Sequence, residues 1–371
     1  MSSSSRNEYR PDVVSAPGET LEEMLEERGM TQAELARRMD RPLKTINEIV
    51  KGKAAITPET ALQLERVLGV SAAFWNRRES LYREYLARCA EEDRLRAAAV
   101  WLQQLPLRDM VKQGWVQKAP DTAGQVREVL NFFGFASPKV WTDWCNGLQV
   151  AYRGSPAFTS NAAAVAAWLR QGEIEAQSIE CQPYDEKKLR ASIPWLRSLT
   201  LKTPAEFQPE LVRGCAACGV AVVILPELRG TRLCGAARWL TPEKALVQLS
   251  LRHKTNDHLW FAFFHEVGHI LLHGKRESFL DTEEKHGGQD KEEQADRFAS
   301  DVLIPPTAYR AFVQNHPRPD APAIHRFAVE IGIAPGIVVG RLQHEGAIGW
   351  DTANHLRVRL RWADEPNAIP A

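Results

Sequence analysis

Between residues 20 and 75 the apolar positions recur every three or four residues, in short runs divided by helix-stopping and helix-starting signals. Leu21, Met24 and Leu25 precede Gly29, a good C-terminal stop. Thr31 stands three residues before Glu34, a pairing in which each side chain satisfies a free backbone N–H at a helix start. Leu35, Ala36 and Met39 then line an inner face until Arg41-Pro42 breaks the helix. The next helix is predicted from about Leu43 to Lys51, with Ile46, Ile49 and Val50 facing in. Thr57-Pro58 opens a fourth helix that Gly69 ends, and Ser71 caps a fifth. The second and third helices form a helix-turn-helix, whose second helix lies in the DNA major groove with its N-terminal residues at base edges.

Residues from about 80 to 210 continue at helical spacing and hold several of the 11 tryptophans, which at such spacing mark core. From Gly219 the pattern changes to three short Val-, Ile- and Leu-rich runs, "GVAVVILPEL", "LCGAARWL" and "KALVQLSL", which predict a small sheet. A strongly apolar helix follows, "NDHLWFAFFHEVGHILLHG", then an amphipathic one, "KEEQADRFASDVLIP", and an apolar segment around Pro335-Gly336. The expected class is α+β: an all-α N-terminal domain, a helical middle and a C-terminal domain with a small sheet.

Composition narrows the function classes. A length of 371 residues suggests two or three folded units. Lys plus Arg and Asp plus Glu each number 47, so DNA contact requires a local patch. One exists: Arg37 to Lys53 holds six basic residues against two acidic. On the predicted groove helix Lys44, Thr45 and Asn47 face outward and are expected to read bases, while Arg41, Lys51 and Lys53 are expected to hold phosphates. No run approaches the roughly 18 apolar residues of a membrane span, and "MSSSSRNEYRPD" has no apolar signal core, so a cytoplasmic protein with no membrane partner is expected. Six cysteines are too sparse for a disulfide framework. Cys215 and Cys218, beside an apolar strand, read as buried free thiols.

The apolar helix carries His265-Glu266-Val267-Gly268-His269. Histidines at i and i+4 share one helical face and can bind a single Zn²⁺, with the intervening glutamate as general base. Two histidines and a carboxylate on a buried apolar helix are costly to desolvate, and a bound dication resolves that cost. A hydrolytic zinc site needs a third protein ligand, for which His273, Glu292, Glu293 and Asp296 are candidates. His273 lies another four residues along and drifts off the shared face, which predicts a structural role. In the following helix Glu292 falls on the inner stripe of Ala295 and Ala299, whereas Glu293 sits with Arg297 and Ser300, so periodicity selects Glu292. Asp296, one turn on, is then placed to orient a ligating histidine. His258 and Tyr309 are candidate donors to an oxyanion, with no position in the cleft assigned by sequence.

Two resemblances extend this reading. The string "INEIVKGKAAITPETALQLERVLGVSAAFW", Ile46 to Trp75, resembles the DNA-binding domain of HigA-type antitoxins, a branch of the lambda-repressor-like regulators, over about Gly18 to Arg88. That implies operator DNA and a HigB-like toxin as partners, autorepression and a homodimer. The two motif helices resemble the ImmA/IrrE metallopeptidases, whose hallmark is His-Glu-x-x-His followed by Glu-x-x-Ala-Asn/Asp-x-Phe-Ala, over roughly Leu211 to Trp350. That implies a zincin-like fold with His265, His269 and Glu292 as Zn²⁺ ligands and Glu266 as catalytic base. Ala151 to Ser160 resembles a stretch preceding the catalytic part of such proteins. The 275–293 connection, longer than usual in the family, reads as a solvated loop, with His286 no ligand.

The expected organisation is a disordered tail (1–18), a helix-turn-helix domain (19–88), a helical middle (89–210), a metallopeptidase-like domain (211–350) and a tail (351–371). The expected function is a DNA-binding regulator and antitoxin with a fused zinc endopeptidase that cleaves itself or a partner regulator. The alternative is an antitoxin and autorepressor whose zinc site is structural or sensory, without turnover.

Overall fold

A computed structural model of the chain describes residues 14–151, 161–231, 233–273 and 288–362. The Ser-rich start, all but the first residue of the Ala151–Ser160 stretch, most of the 275–293 connection with His286, and the end of the chain past 362 lie outside the described residues. Contacts gather into two compact units, Met1–Ala99 with Asp121–Gly124, and Val100–Pro120 with Gln125–Ala371.

The first unit is all helical: α1 (Pro17–Glu27), α2 (Gln32–Arg38), α3 (Leu43–Val50), α4 (Pro58–Leu68) and α5 (Ala72–Ala97). Their apolar stripes close one core around Leu21, Leu35, Ile46, Leu64, Leu68 and Trp75. The caps follow the sequence: the Thr31, Thr57 and Ser71 hydroxyls accept from the N–H groups of Glu34, Thr60 and Phe74 at 3.1, 3.3 and 3.3 Å. Each such cap is worth about 1 kcal/mol. The Glu34 carboxylate does not complete the reciprocal box; it takes Arg37 and Arg38 instead. Charged guanidinium donors three and four residues along the helix outcompete a neutral backbone N–H.

The first helix starts at Pro17, inside the stretch expected to be a disordered tail. Pro17 is preorganised for a first helical turn, and Gly18 is buried against the end of α3. A Cβ on Gly18 would stand 2.2 Å from the Val50 carbonyl oxygen and 2.3 Å from that of Ile49, both backbone atoms with no freedom to yield. Gly18→Ala is therefore expected to destabilise this unit by about 1–3 kcal/mol, the usual overpacking cost. Urea unfolding followed by the fluorescence of buried Trp75 in a 1–99 fragment measures it, and an unchanged midpoint would refute the contact.

The second unit contains α6 (Leu107–Lys112), α7 (Thr122–Phe133) from Gln125 onward, α8 (Pro138–Ala151), α9 (Ala162–Gln177), α10 (Glu186–Ser198) and α11 (Pro204–Ala216). The strands β1 (Val220–Ile224), β2 (Gly235–Thr241) and β3 (Lys244–Leu249) come next. The helices α12 (Asn256–Leu272), α13 (Gly288–Leu303), α14 (Pro306–Asn315), α15 (Ala321–Ile331) and α16 (Pro335–His344) complete it. The sheet order is β1-β3-β2, with β1 parallel and β2 antiparallel to β3. Residues 245–249 of the central strand are fully buried, and consecutive side chains leave on opposite faces. Val247 joins the core that includes Phe263 and Phe264 of α12, while Gln248 turns to α9 and donates to the Trp168 carbonyl at 2.7 Å.

This unit is wider than 211–350. Leu189 and Leu196 of α10 and Phe207 and Leu211 of α11 share its core, so helices expected in a middle region belong to it. Residues after Trp350 also pack, contrary to the expected tail. Thr255 pairs with Arg359, Asn256 donates its N–H to the Val358 carbonyl at 2.9 Å, and Leu360 is buried. Arg357 meets the buried Asp257 carboxylate at 2.9 Å. These partners lie about a hundred positions apart in the chain, so no local periodicity reveals them. No single described helix is long and apolar enough to cross a membrane.

Candidate metal centre and nucleic-acid interface

Helix α12 is buried on nearly every side through Leu259, Trp260, Phe263, Phe264, Val267, Ile270 and Leu271. Against it lies α13, and Gly268 permits the approach. A Cβ there would come within 3.1 Å of Phe298 Cδ1 and 3.3 Å of Ala295 Cα. Close packing brings Glu292, near the start of α13, over the two histidines.

His265 and His269 turn their Nε2 atoms toward each other, 2.9 Å apart. Glu292 Oε2 is 3.2 Å from the first and Oε1 is 3.5 Å from the second. Bonds of about 2.0–2.1 Å at tetrahedral angles require donors about 3.3 Å apart, so the three fit a zinc ion. Among the described residues this is the single cluster of histidine and acidic groups close enough to hold a metal. His265 Nδ1 contacts Asp296 Oδ1 at 2.8 Å, and His269 Nδ1 contacts His273 Nδ1 at 3.0 Å. His273 therefore lies against a ligand rather than off the shared face. It occupies the C-cap at φ −109° and ψ 5°, one helical turn beyond His269 and adjacent to it as i,i+4 side chains are.

The charges are set by these contacts. Burial pushes His265 down, but Asp296 and Glu292 pull it up past that, to about 10. Glu292 is held well below the usual carboxylate range by its bonds to His265 and His269. Glu266 is buried, and desolvation raises it to about 7 against the opposing pull of the two histidines. Its carboxylate accepts from the Ala237 backbone on the edge strand β2. A Cβ on Gly235 would meet Glu266 Oε1 at 2.6 Å, so that glycine makes room for the glutamate. Gly235 and Gly268 escaped the sequence reading because they signal only by an absent side chain, and the contact of His273 with His269 was not foreseen.

The remaining candidates have other work. Tyr309 is buried, with the Arg341 guanidinium 4.2 Å over its ring. His258 stacks on His253 with ring centroids 4.1 Å apart. Cys215 and Cys218 are buried free thiols, and burial pushes Cys215 well above its ordinary range.

In the first unit, Lys44, Asn47, Lys51 and Lys53 line one groove of about 410 Å³ with Leu43 and Glu48. Lys44, Lys51 and Lys53 are exposed on it. Arg41 and Thr45 do not line it. Arg41 is half-buried and donates through Nε to Gln63 Oε1 at 2.5 Å, which ties it to α4. Thr45 is half-buried at the start of α3.

Comparison with known proteins places both regions. Residues 21–75 match the helix-turn-helix family, and residues 239–342 match the peptidase family described as the IrrE N-terminal-like domain. The chain thus belongs to the helix-turn-helix family at its N-terminal end and carries an IrrE-like peptidase-family domain toward its C-terminal end. Over 59 residues it is 39% identical to the uncharacterized HTH-type transcriptional regulator YddM of Escherichia coli K12, covering 16% of this chain and 63% of that one. Over 68 residues it is 41% identical to virulence-associated protein A of Dichelobacter nodosus, covering 18% of this chain and 67% of that one. The chain spans about two thirds of the length of these relatives. A solved addiction module antidote protein of the HigA family from Coxiella burnetii is 31% identical, over 20% of this chain and 82% of that one, with a TM-score of 0.19.

Proposed function

We propose that the protein is a cytoplasmic regulator that binds operator DNA as a homodimer and carries a zinc-dependent endopeptidase acting on itself or on a partner regulator. A HigB-like toxin is the partner expected of its antitoxin-like half. The observation that carries the peptidase reading is the convergence of His265, His269 and Glu292 beside a buried Glu266. A site that only held the fold together would need no base beside it.

Zinc, when bound there, serves as a Lewis acid toward a peptide carbonyl and acidifies water. The chain supplies the rest. Asp296 Oδ1 keeps the proton on His265 Nδ1, so that Nε2 presents its lone pair. Glu266, poised near neutrality by burial, takes the proton of the attacking water and returns it to the leaving amine. A covalent intermediate on a side chain is not required. A protease tethered to a repressor meets its own linker at high effective concentration, so a strongly specific pocket is unnecessary.

The test combines two measurements on the zinc-loaded full chain. Incubation with the product of its own operon, followed by intact-mass spectrometry, is expected to show a cleaved chain of one of the two proteins. Titration with DNA from upstream of its own gene is expected to show specific binding. Loss of cleavage alone would leave a regulator with a sensory metal site, and loss of DNA binding would remove the regulator itself. Within the DNA reading, Asn47→Ala is expected to change which operator sequence is preferred. Lys53→Ala is expected to weaken all sequences alike and lower the salt slope by about one. Fluorescence anisotropy at several salt concentrations separates the two, and equal behaviour of the variants would contradict the assignment.

A further inference from the structure

We infer that His273 is a positioning residue that selects the metal-binding tautomer of His269, which makes the two imidazole ligands unequal in their support. The inference rests on the zinc reading above and adds a residue to it. His265 is backed by a carboxylate, Asp296, at 2.8 Å. His269 is backed by another imidazole, His273, with the two Nδ1 atoms 3.0 Å apart.

Two facing ring nitrogens form a hydrogen bond only when one carries a proton and the other a lone pair. His269 needs its Nε2 lone pair for a metal, because Nε2 is the atom that turns toward His265 and Glu292. Its proton then belongs on Nδ1, which donates to Nδ1 of His273. His273 in turn must hold its own proton on Nε2, an atom shielded from solvent. The arrangement thus passes a single tautomer choice along the helix end, from His273 to His269 to the metal position.

The local backbone makes this geometry. His273 ends α12 as its C-cap, with its N–H still bonded to the His269 carbonyl at 3.1 Å. Arg190 donates to the Leu271 carbonyl at 3.0 Å and holds the last turn in place. Residues four apart on a helix are surface neighbours, and with that last backbone bond kept the imidazole lies against the ring one turn before it. The ring centroids of His269 and His273 are 5.0 Å apart.

The chemistry differs from that at His265. A carboxylate partner orients a ligand and also raises its basicity by its charge; an imidazole nitrogen orients it by accepting one hydrogen bond. Removing the acceptor should therefore cost metal affinity through orientation and tautomer. An amide oxygen in the place of Nδ1 should serve as well, because it accepts a hydrogen bond from the same direction.

The experiment uses the full chain with His273→Leu and His273→Asn, since the asparagine Oδ1 occupies nearly the place of the histidine Nδ1. Zinc affinity is measured by competition with a chromogenic chelator, and circular dichroism and thermal unfolding establish that both variants fold. His273→Leu is expected to bind zinc about 10–100-fold more weakly than wild type, the usual cost of losing a residue that orients a ligand. His273→Asn is expected to recover most of that affinity. In zinc-free protein with labelled histidine, long-range ¹H–¹⁵N spectra should show the Nδ1–H tautomer of His269 in wild type and in His273→Asn, and its loss in His273→Leu. Wild-type affinity in His273→Leu, or equal weakening in both variants, would overturn the role of His273 while the zinc site stands. A wild-type protein that binds no stoichiometric zinc would overturn the zinc reading and this inference with it.

Discussion

Glu266→Gln is expected to leave zinc content and the unfolding midpoint close to wild type while reducing peptide cleavage by about 10²–10⁴-fold, the range assigned to a positioned general base. The substitution isolates proton transfer. Glu266 is not among the three groups that converge on the metal position, so its loss as a base takes no ligand away. The amide oxygen of glutamine still accepts from the Ala237 backbone and occupies the room left by Gly235. What disappears is a carboxylate that burial has raised to about 7, near the pH at which a base both exists as the anion and accepts a proton readily. Operator binding provides a second readout on the same pair of proteins. If cleavage drives regulation, wild type releases DNA as the cleaved chain accumulates and Glu266→Gln stays bound. Equal release by both, with no cleaved chain of either protein or partner, would make catalysis irrelevant to regulation and leave a sensory metal site.

Glu292→Ala carries the second large effect. It removes one of three converging donors, and zinc affinity is expected to fall by more than the roughly 100-fold upper figure for residues that only orient a ligand. Metal analysis after gel filtration decides it: retention of one zinc per chain by Glu292→Ala would refute the ligand assignment. The same site has a pH signature. In the metal-free protein His265 is held protonated up to about 10 by Asp296 and Glu292, and a metal must displace that proton from Nε2. Below that value each unit of rising pH therefore favours the metal, and zinc affinity should increase about tenfold per pH unit between pH 6 and 8, which is about 1.4 kcal/mol per unit. Calorimetric titration in buffers of different ionisation enthalpy should report at least one proton released per zinc. A pH-independent affinity would mean that His265 is already neutral before the metal arrives.

Much of the molecule was legible in the chain because it is written locally. The caps at Thr31, Thr57 and Ser71, the αL glycine at Gly69 and the three apolar runs of the sheet each depend on residues a few positions apart. The pairing of His265 with His269 is likewise a helical-turn relation, and the stripe on α13 placed Glu292 and Asp296 on the side that faces them. What escaped depends on partners far away or on atoms that are missing. Gly18 is compact because the end of α3 presses on it, and Gly268 because α13 does. Arg41 looked free to hold phosphate, yet it turns to Gln63, twenty-two residues on. His273 stays outside the metal cluster as expected, but its contact with His269, an i,i+4 neighbour, was not drawn from the spacing.

The parallel pairing of β1 with β3 limits how the C-terminal half can be isolated. A piece cut to the family-matched residues 239–342 would retain both motif helices and the whole of β3, but it would lose β1 and the first four residues of β2. The five positions of β3 from Ala245 to Leu249, each facing a residue of β1 in the whole protein and all but Gln248 apolar, would then present a bare backbone ladder to solvent. Such a ladder recruits another chain to complete it. A fragment drawn from the motif boundaries would therefore self-associate through its own sheet, and inactivity in it would report that mispairing and not the chemistry of the histidines.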